Sequence, residues 1–270
     1  IKDASSIKYG TDALGGVVVV NPPHLPEKHE PGGTLQTVLQ SNGRSGVISG
    51  MLEGGIKASD GWGWRVQGTV KRSGDFHTPK YNLTNTGLKE LNFSVAAGYH
   101  VEQAGLEIFF SHFQTEVGIL RGTSIGNVSD LIAAMDREPP QYTQDFDYSI
   151  SEPKQTVSHD LLKINGHHRT KNGVVRMQYG FQNNHRKEFD IRKGEQSGLP
   201  SLNLGLASHT LETEWETSRD GKRSLCVGVT GMYQNITNIR GTNRIAFIPN
   251  FVNLSGGVFG VGKMIFKKWV

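Results

Sequence analysis

From residue 34 onward the chain alternates oily and wet positions with a period of two. In 62–71, Trp62, Trp64, Val66, Gly68 and Val70 oppose Gly63, Arg65, Gln67, Thr69 and Lys71. In 90–100, Leu91, Phe93, Val95, Ala97 and Tyr99 oppose Glu90, Asn92, Ser94, Ala96, Gly98 and His100. In 174–184, Val175, Met177, Tyr179 and Phe181 oppose Arg176, Gln178, Gly180 and Gln182. Such a sustained period is that of a β-strand with one apolar and one polar face. Ten segments of this kind are predicted, near 34–42, 46–58, 62–73, 88–100, 104–116, 156–169, 174–187, 203–217, 222–236 and 252–268. Most exceed the usual length of about five or six residues for a globular strand. They match the roughly 9–11 residues a tilted strand needs to cross a bilayer. One helix is predicted, over 127–137, with Asn127 or Ser129 as its cap.

The connections add a second regularity. After the first hairpin they alternate between short (59–61, 101–104, 170–172, 218–221) and long (about 74–87, 117–155, 188–202, 237–251). Membrane barrels have short turns on one rim and long loops on the other, whereas a sandwich has no reason to sort its loops by parity. Trp62 follows one short turn, Trp215 precedes another and Trp269 ends the last segment at the same rim, with Trp64 and Tyr99 nearby. An indole is apolar in body and polar at its N–H, so this clustering predicts an aromatic girdle at a membrane interface.

Composition narrows the class further. Glycine accounts for 34 of 270 residues, close to twice the usual share of about 7%. Hydrophobic residues make up only 36% and the mean hydropathy is −0.41. No segment approaches the roughly 18 apolar residues of a membrane helix. A barrel that crosses with alternating strands is polar on average in the same way. The single cysteine, Cys226, rules out a disulfide within the chain, and no Cys/His cluster has zinc spacing. The net charge is +4, but the Lys and Arg residues are scattered and form no basic stripe, which argues against nucleic acid.

At the N-terminus, Tyr9, Gly10, Ala13, Gly15 and Gly16 form a YG-x-x-A-x-GG element that feeds four valines, residues 17–20, and then Asn21-Pro22-Pro23. It lacks the Gly-Lys-Ser/Thr ending of a phosphate loop. This element resembles the closing motif of the plug domain in TonB-dependent outer-membrane receptors. The stretches 145–169, 179–195 and 231–251 look like the barrel of such receptors of the Bacteroidetes type. The resemblance implies an all-β fold. Residues 1–22 would be the end of the plug, 23–33 a linker, and 34–270 the N-terminal part of a transmembrane antiparallel β-barrel. The family's barrel has about 22 strands with a plugged lumen, so ten strands would leave open edges at 34–42 and 252–268. Open edges are not tolerated in hydrocarbon, and the chain opens in mid-motif without a signal peptide. It is therefore expected to be a fragment.

The resemblance further implies active uptake of a scarce ligand, such as an iron chelate or siderophore, cobalamin or a glycan, with energy from TonB. No catalytic residue, cofactor or resident metal is expected. The expected partners are TonB, through a segment before Ile1, outer-membrane lipid, the remaining part of the same barrel and a surface lipoprotein. By loop position, the ligand-binding candidates are His77, Tyr81, Tyr142, Asp145, Tyr148, His185, Arg186, Arg192 and Arg240, since Arg forks suit carboxylates and phosphates and aromatics suit flat apolar ligands.

Other groupings have plainer readings. His167-His168-Arg169 adjoins a short turn, as a solvated rim would. Asp145 and Asp147 lack the Gly and Glu of an EF-hand loop. Glu212, Glu214 and Glu216 read as a lumen-facing acidic row, with Arg or Lys partners on the plug or neighbouring strands, rather than as glycosidase carboxylates. The main alternative is a soluble, secreted β-sandwich or adhesin-like module that binds carbohydrate. Asn-x-Ser/Thr triplets at Asn82, Asn92, Asn127, Asn235 and Asn253 invite that reading, but Asn92 falls within a predicted strand. The plug motif argues against a porin-like passive channel, and a carbohydrate-active enzyme ranks last.

Overall fold

Each long segment pairs with the next in the chain, as expected where short turns join strands in a meander. The computed structural model describes residues 18–20, 22–27, 30–56, 60–123, 127–217 and 223–264. Its strands are β1 (Gly32–Gln40), β2 (Ser45–Gly55), β3 (Trp62–Ser73), β4 (Phe76–His77), β5 (Asn82–Leu83), β6 (Leu88–His100), β7 (Ala104–Gly118), β8 (Lys154–Thr170), β9 (Gly173–Phe189), β10 (Leu202–Thr217), β11 (Arg223–Asn238) and β12 (Phe251–Met264). All except β4 and β5 form one ten-stranded antiparallel sheet, in the order β1-β2-β3-β6-β7-β8-β9-β10-β11-β12. β4 and β5 make a two-residue ribbon inside the first long loop, which the sequence pattern did not reveal.

Strand limits fall within two residues of the expected ones, apart from two C-terminal ends. The second strand stops at Gly55 instead of 58, and the last is described to Met264 instead of 268. Helix α1 spans Val128–Met135, and the Asn127 side chain caps it by accepting the Asp130 N–H at 2.8 Å. Ser129, the other candidate cap, lies within the first turn.

Register shows that the two faces are continuous across the sheet. Leu52, Val66, Val95, Phe110, Leu162, Phe181, His209, Tyr233 and Leu254 stand opposite one another in turn from β2 to β12. One residue along on the other face, Met51, Gln67, Ser94, Ser111, Leu161, Gln182, Ser208, Gln234 and Asn253 form the matching row. That polar row is linked side chain to side chain, from Gln234 to Ser208 at 3.2 Å and from Asn253 to Gln234 at 3.3 Å.

The apolar band runs obliquely to the ladder. Followed from β3, Val70 at the band's upper end lies level with Leu91, Gln114, Ser158, His185, Gly205 and finally Thr237. On β11, however, the band's upper end is Tyr233, four residues lower. A band that stays level while the rows climb is the mark of strands tilted to a membrane plane.

A sandwich would bury one face of this sheet against a second sheet. Among the described residues no second sheet packs on it, and the buried apolar side chains are only Leu25, Ala96 and Phe259. The accessible surface is 18553 Å², against roughly 12,000 Å² for a compact soluble chain of this mass. Along the apolar face Val66, Val70, Leu91, Phe93, Ile108 and Val229 are all exposed. The sandwich reading fails on these grounds. β1 and β12 each have a neighbour on one side only, among the described residues. No helix there is long and apolar enough to cross a membrane, which bears on helices alone.

The face assignment makes a sharp prediction for adjacent positions. In bilayers, Val66→Arg on the apolar face is expected to cost about 2–4 kcal/mol of unfolding free energy, while Gln67→Arg on the polar face changes it little. Denaturant unfolding of the bilayer-embedded protein measures both.

Candidate functional site

The polar face carries the charged groups, and neighbouring strands pair them. Arg176 of β9 lies directly opposite Glu214 of β10, and its Nη1 reaches Glu214 Oε1 at 3.2 Å and Glu216 Oε2 at 2.8 Å. With Glu212 these carboxylates form the expected acidic row, with the cation supplied by the neighbouring strand. Such partly exposed pairs contribute little to stability; they set the charge pattern of the face. Asn92 also lies on this face and donates to Glu90 at 2.7 Å, so that triplet sits inside a ladder. Arg186, toward the end of β9, shares the face and bonds Gln155 at 3.1 Å and Glu188.

The aromatic candidates that can be placed stand on the apolar face beside the short connections. Trp62 and Tyr99 pair across β3 and β6 with ring centroids 5.4 Å apart. Trp64 packs on the same face, 3.4 Å from the Cβ position of Gly54. Trp215 of β10 lies opposite Val175 and Val227. Trp269 lies outside the described residues, as do Tyr9, Gly10, Ala13, Gly15 and Gly16.

At the opposite rim the long loops bind one another. Two buried side chains organise them, Asp75 and Asn85, at 0% and 2% exposure. Asn85 has a left-handed backbone, φ 62°, which Asn tolerates better than most residues. Its amide donates to the carbonyls of Ile119 and Pro153 at 2.9 and 2.8 Å and accepts the Ser151 N–H at 2.9 Å. Asp75 accepts the Thr86 N–H at 3.0 Å and the Gln144 amide at 3.1 Å. Loop 119–153 is thereby fastened along loop 74–87. It continues to the first hairpin, where Tyr148 donates to the Arg44 carbonyl at 2.8 Å and the Arg44 guanidinium lies 4.0 Å over Phe146. Arg72 also donates to the Tyr148 carbonyl.

These loops bring some candidates together and leave others apart. His77 and Tyr81 line one open cavity of about 380 Å³ with Arg44, Lys80 and Phe146. Arg192 lines another of about 490 Å³ with Arg121, Lys154 and Glu152. Tyr142 is nearby through its carbonyl, which accepts from Thr84 at 2.9 Å. Asp145 and Arg240 are exposed and line neither cavity. His185 lies on the apolar-face side of β9 and bonds Asn203 at 2.7 Å.

Arg192 spends one nitrogen, Nη1, on the Thr242 carbonyl at 2.7 Å. Its buried Nε and Nη2 have no protein partner. Sequence reading missed Arg44, Lys80, Arg121 and Lys154, because a cavity between loops distant in sequence leaves no local spacing. Among the described residues no group of three or more His, Cys, Asp or Glu is placed to hold a metal ion. Asp147 instead turns back on its own loop: the Ser149 hydroxyl, and then the Ser149 N–H at 3.0 Å, hold its carboxyl below the ordinary carboxylate range.

The chain matches no protein-family model and no curated protein. Its fold matches solved structures of membrane receptors. It aligns with the ferric enterobactin receptor PfeA in complex with BCV-L6 at 13% identity and a TM-score of 0.67, covering 96% of this chain and 41% of that one. A mutant of that receptor from Pseudomonas aeruginosa aligns at 14% identity and a TM-score of 0.61, over 95% and 40%. The ferric citrate transporter FecA in its unliganded form aligns at 15% and 0.57, over 95% and 38%. At these identities the likeness is one of fold, that of TonB-dependent receptor barrels, and the chain spans about two fifths of those proteins' length.

Two tests address the loop layer. Asn85→Ala removes a buried amide from three backbone partners and is expected to weaken the closed loops by roughly 2–3 kcal/mol, read as faster hydrogen exchange across 119–153. A carboxyl with a lowered value stabilises the folded loop above the ordinary carboxylate range, and that contribution is lost as pH falls through the lowered value. Ser149→Ala is therefore expected to raise the Asp147 titration midpoint, followed by carboxyl NMR shifts.

Proposed function

We propose that this chain is the end of a plug and the first ten strands of the wall of an outer-membrane receptor that takes up a scarce ligand with energy from TonB. The observation that carries this reading is the barrel fold shared with receptors for ferric enterobactin and ferric citrate over nearly all of this chain. On it, the apolar face meets outer-membrane lipid and the polar face lines the lumen. The short connections lie on the periplasmic rim and the long loops outside. Trp62, Trp64, Tyr99, Trp215 and Trp269 form the interfacial belt at the periplasmic side.

Residues 1–22 end the plug, 23–33 link it to the wall, and the segment that contacts TonB lies in the plug's N-terminal part. The free sides of β1 and β12 pair with the remaining strands of the same barrel, because hydrocarbon offers no other partner for their N–H and C=O groups. A surface lipoprotein is a further partner of the loop layer. The chemistry is transport, in which no bond of the ligand is broken.

The ligand class that suits the loop cavities is an anionic chelate, such as a ferric siderophore. Arg121, Lys154 and Arg192 line one cavity, and Arg44 and Lys80 the other. The guanidinium forks of Arg121 and Arg192 are of the kind that a carboxylate or catecholate oxygen accepts. His77, Tyr81, Tyr142, Asp145, Tyr148, His185, Arg186 and Arg240 remain candidates for ligand contact in the same layer.

Uptake of radiolabelled ferric enterobactin, ferric citrate and cobalamin, in cells with and without the gene for this protein and with and without TonB, tests the reading. Uptake of at least one that needs both genes is expected; uptake that persists without TonB would indicate a passive channel. For the ligand transported, Arg192→Ala is expected to weaken binding about tenfold, equivalent to about 1.4 kcal/mol.

A further inference from the structure

Residues 22–27 run along the polar face beside the short connections, and two devices of the wall hold them there. The first is a notch. Gly63 of β3 and Gly98 of β6 stand directly opposite each other in the ladder, so neither strand presents a side chain at that spot. Leu25 fills it and is only 6% exposed. A Cβ at Gly63 would come within 2.8 Å of the Leu25 Cβ, and one at Gly98 within 3.1 Å of its Cδ1. The wall is thus shaped to the segment: a side chain at Gly63 would collide with its backbone, and one at Gly98 would crowd the Leu25 side chain.

The second device is Arg65, two residues farther along β3 on the same face. Its Nη1 donates to the Pro23 carbonyl and its Nη2 to the His24 carbonyl, each at 3.1 Å. Its Nε donates to Glu53 Oε2 at 2.7 Å, and Glu53 is its direct cross-strand neighbour on β2. All three guanidinium nitrogens are engaged, and Glu53 aims the fork. The captured groups are backbone carbonyls, so a planar fork with several fixed donors is required and an ammonium does not replace it. Pro22 and Pro23 have no N–H and a fixed φ, so the chain enters the clamp with little conformational freedom. His24 adds an edge contact with His100 at 6.4 Å, and His100 stacks on His167 at 5.9 Å.

We infer that the Gly63–Gly98 notch and the Arg65–Glu53 fork form a latch that keeps residues 23–25 seated on the barrel wall. This rests on the proposed reading of the polar face as the lining of a barrel lumen. Arg65 is in this sense a positioning residue; it need not touch ligand.

The test places a spin label at the exposed linker residue Glu27, as Glu27→Cys in a Cys226→Ser background, with the protein in lipid vesicles. Heat-modifiable migration of each variant monitors the barrel separately. An immobilised label is expected in the parent. A several-fold larger mobile fraction is expected in Arg65→Ala and Gly98→Val, with Arg65→Lys closer to Arg65→Ala than to the parent. Leu25→Ala, which leaves the wall untouched, is expected to loosen the label as well and serves where Gly98→Val fails to fold. Label mobility that is the same in the parent, Arg65→Ala and Leu25→Ala, with heat modifiability retained, would overturn the latch. Loss of heat modifiability in the parent itself would instead count against the barrel reading.

Discussion

The structure depends on the unbroken antiparallel ladder. Ten strands pair neighbour to neighbour, so that in β2, β3 and β6 to β11 each strand's backbone polar groups find partners on both sides. In hydrocarbon an unpaired N–H or C=O costs several kcal/mol, and water is not there to take its place. Once the ladder meets that demand, side chains are free to alternate, and the two faces can serve two solvents. The row from Leu52 to Leu254 and its neighbour from Met51 to Asn253 are that alternation, repeated nine times without slipping. A slip of one residue would exchange the faces, which is why register is so strictly kept.

Much of this was legible in the sequence because period two is a local signal. Trp62 to Lys71 and Glu90 to His100 state their two faces outright, and the observed strands β3 and β6 have the bounds predicted for their segments, 62–73 and 88–100. The parity of loop lengths was equally plain, since it needs only a count between segments. The tilt of the strands was not legible, because the offset between Val70 and Tyr233 appears only when register is followed through seven strands.

The loop layer and the linker were the least legible. Asn85 carries no local signal in the sequence, yet it gathers Ile119, Ser151 and Pro153 from 34 to 68 residues away. Its side chain does the work that a ladder does elsewhere, satisfying backbone groups that regular structure leaves unpaired. Gly63 and Gly98 likewise stand in the pattern only as members of the polar side of their strands, and their reason is the close approach of Leu25 from another part of the chain. Arg65 read as one polar residue among several. Long-range contacts of this kind have no period. The candidates named by loop position are accordingly scattered: His77 and Tyr81 share a cavity, Arg192 lines another, and Asp145 and Arg240 line neither.

The account's central claim is that this sheet is a membrane wall with lipid on one face and an aqueous lumen on the other. The most direct measurement is a scan of single spin labels along residues 64–70 of β3, in a Cys226→Ser background reconstituted into vesicles, read by collision with oxygen and with a water-soluble nickel chelate. The account predicts that Trp64, Val66, Gly68 and Val70 favour oxygen and that Arg65, Gln67 and Thr69 favour nickel, in strict alternation. Equal nickel access at successive positions would contradict it.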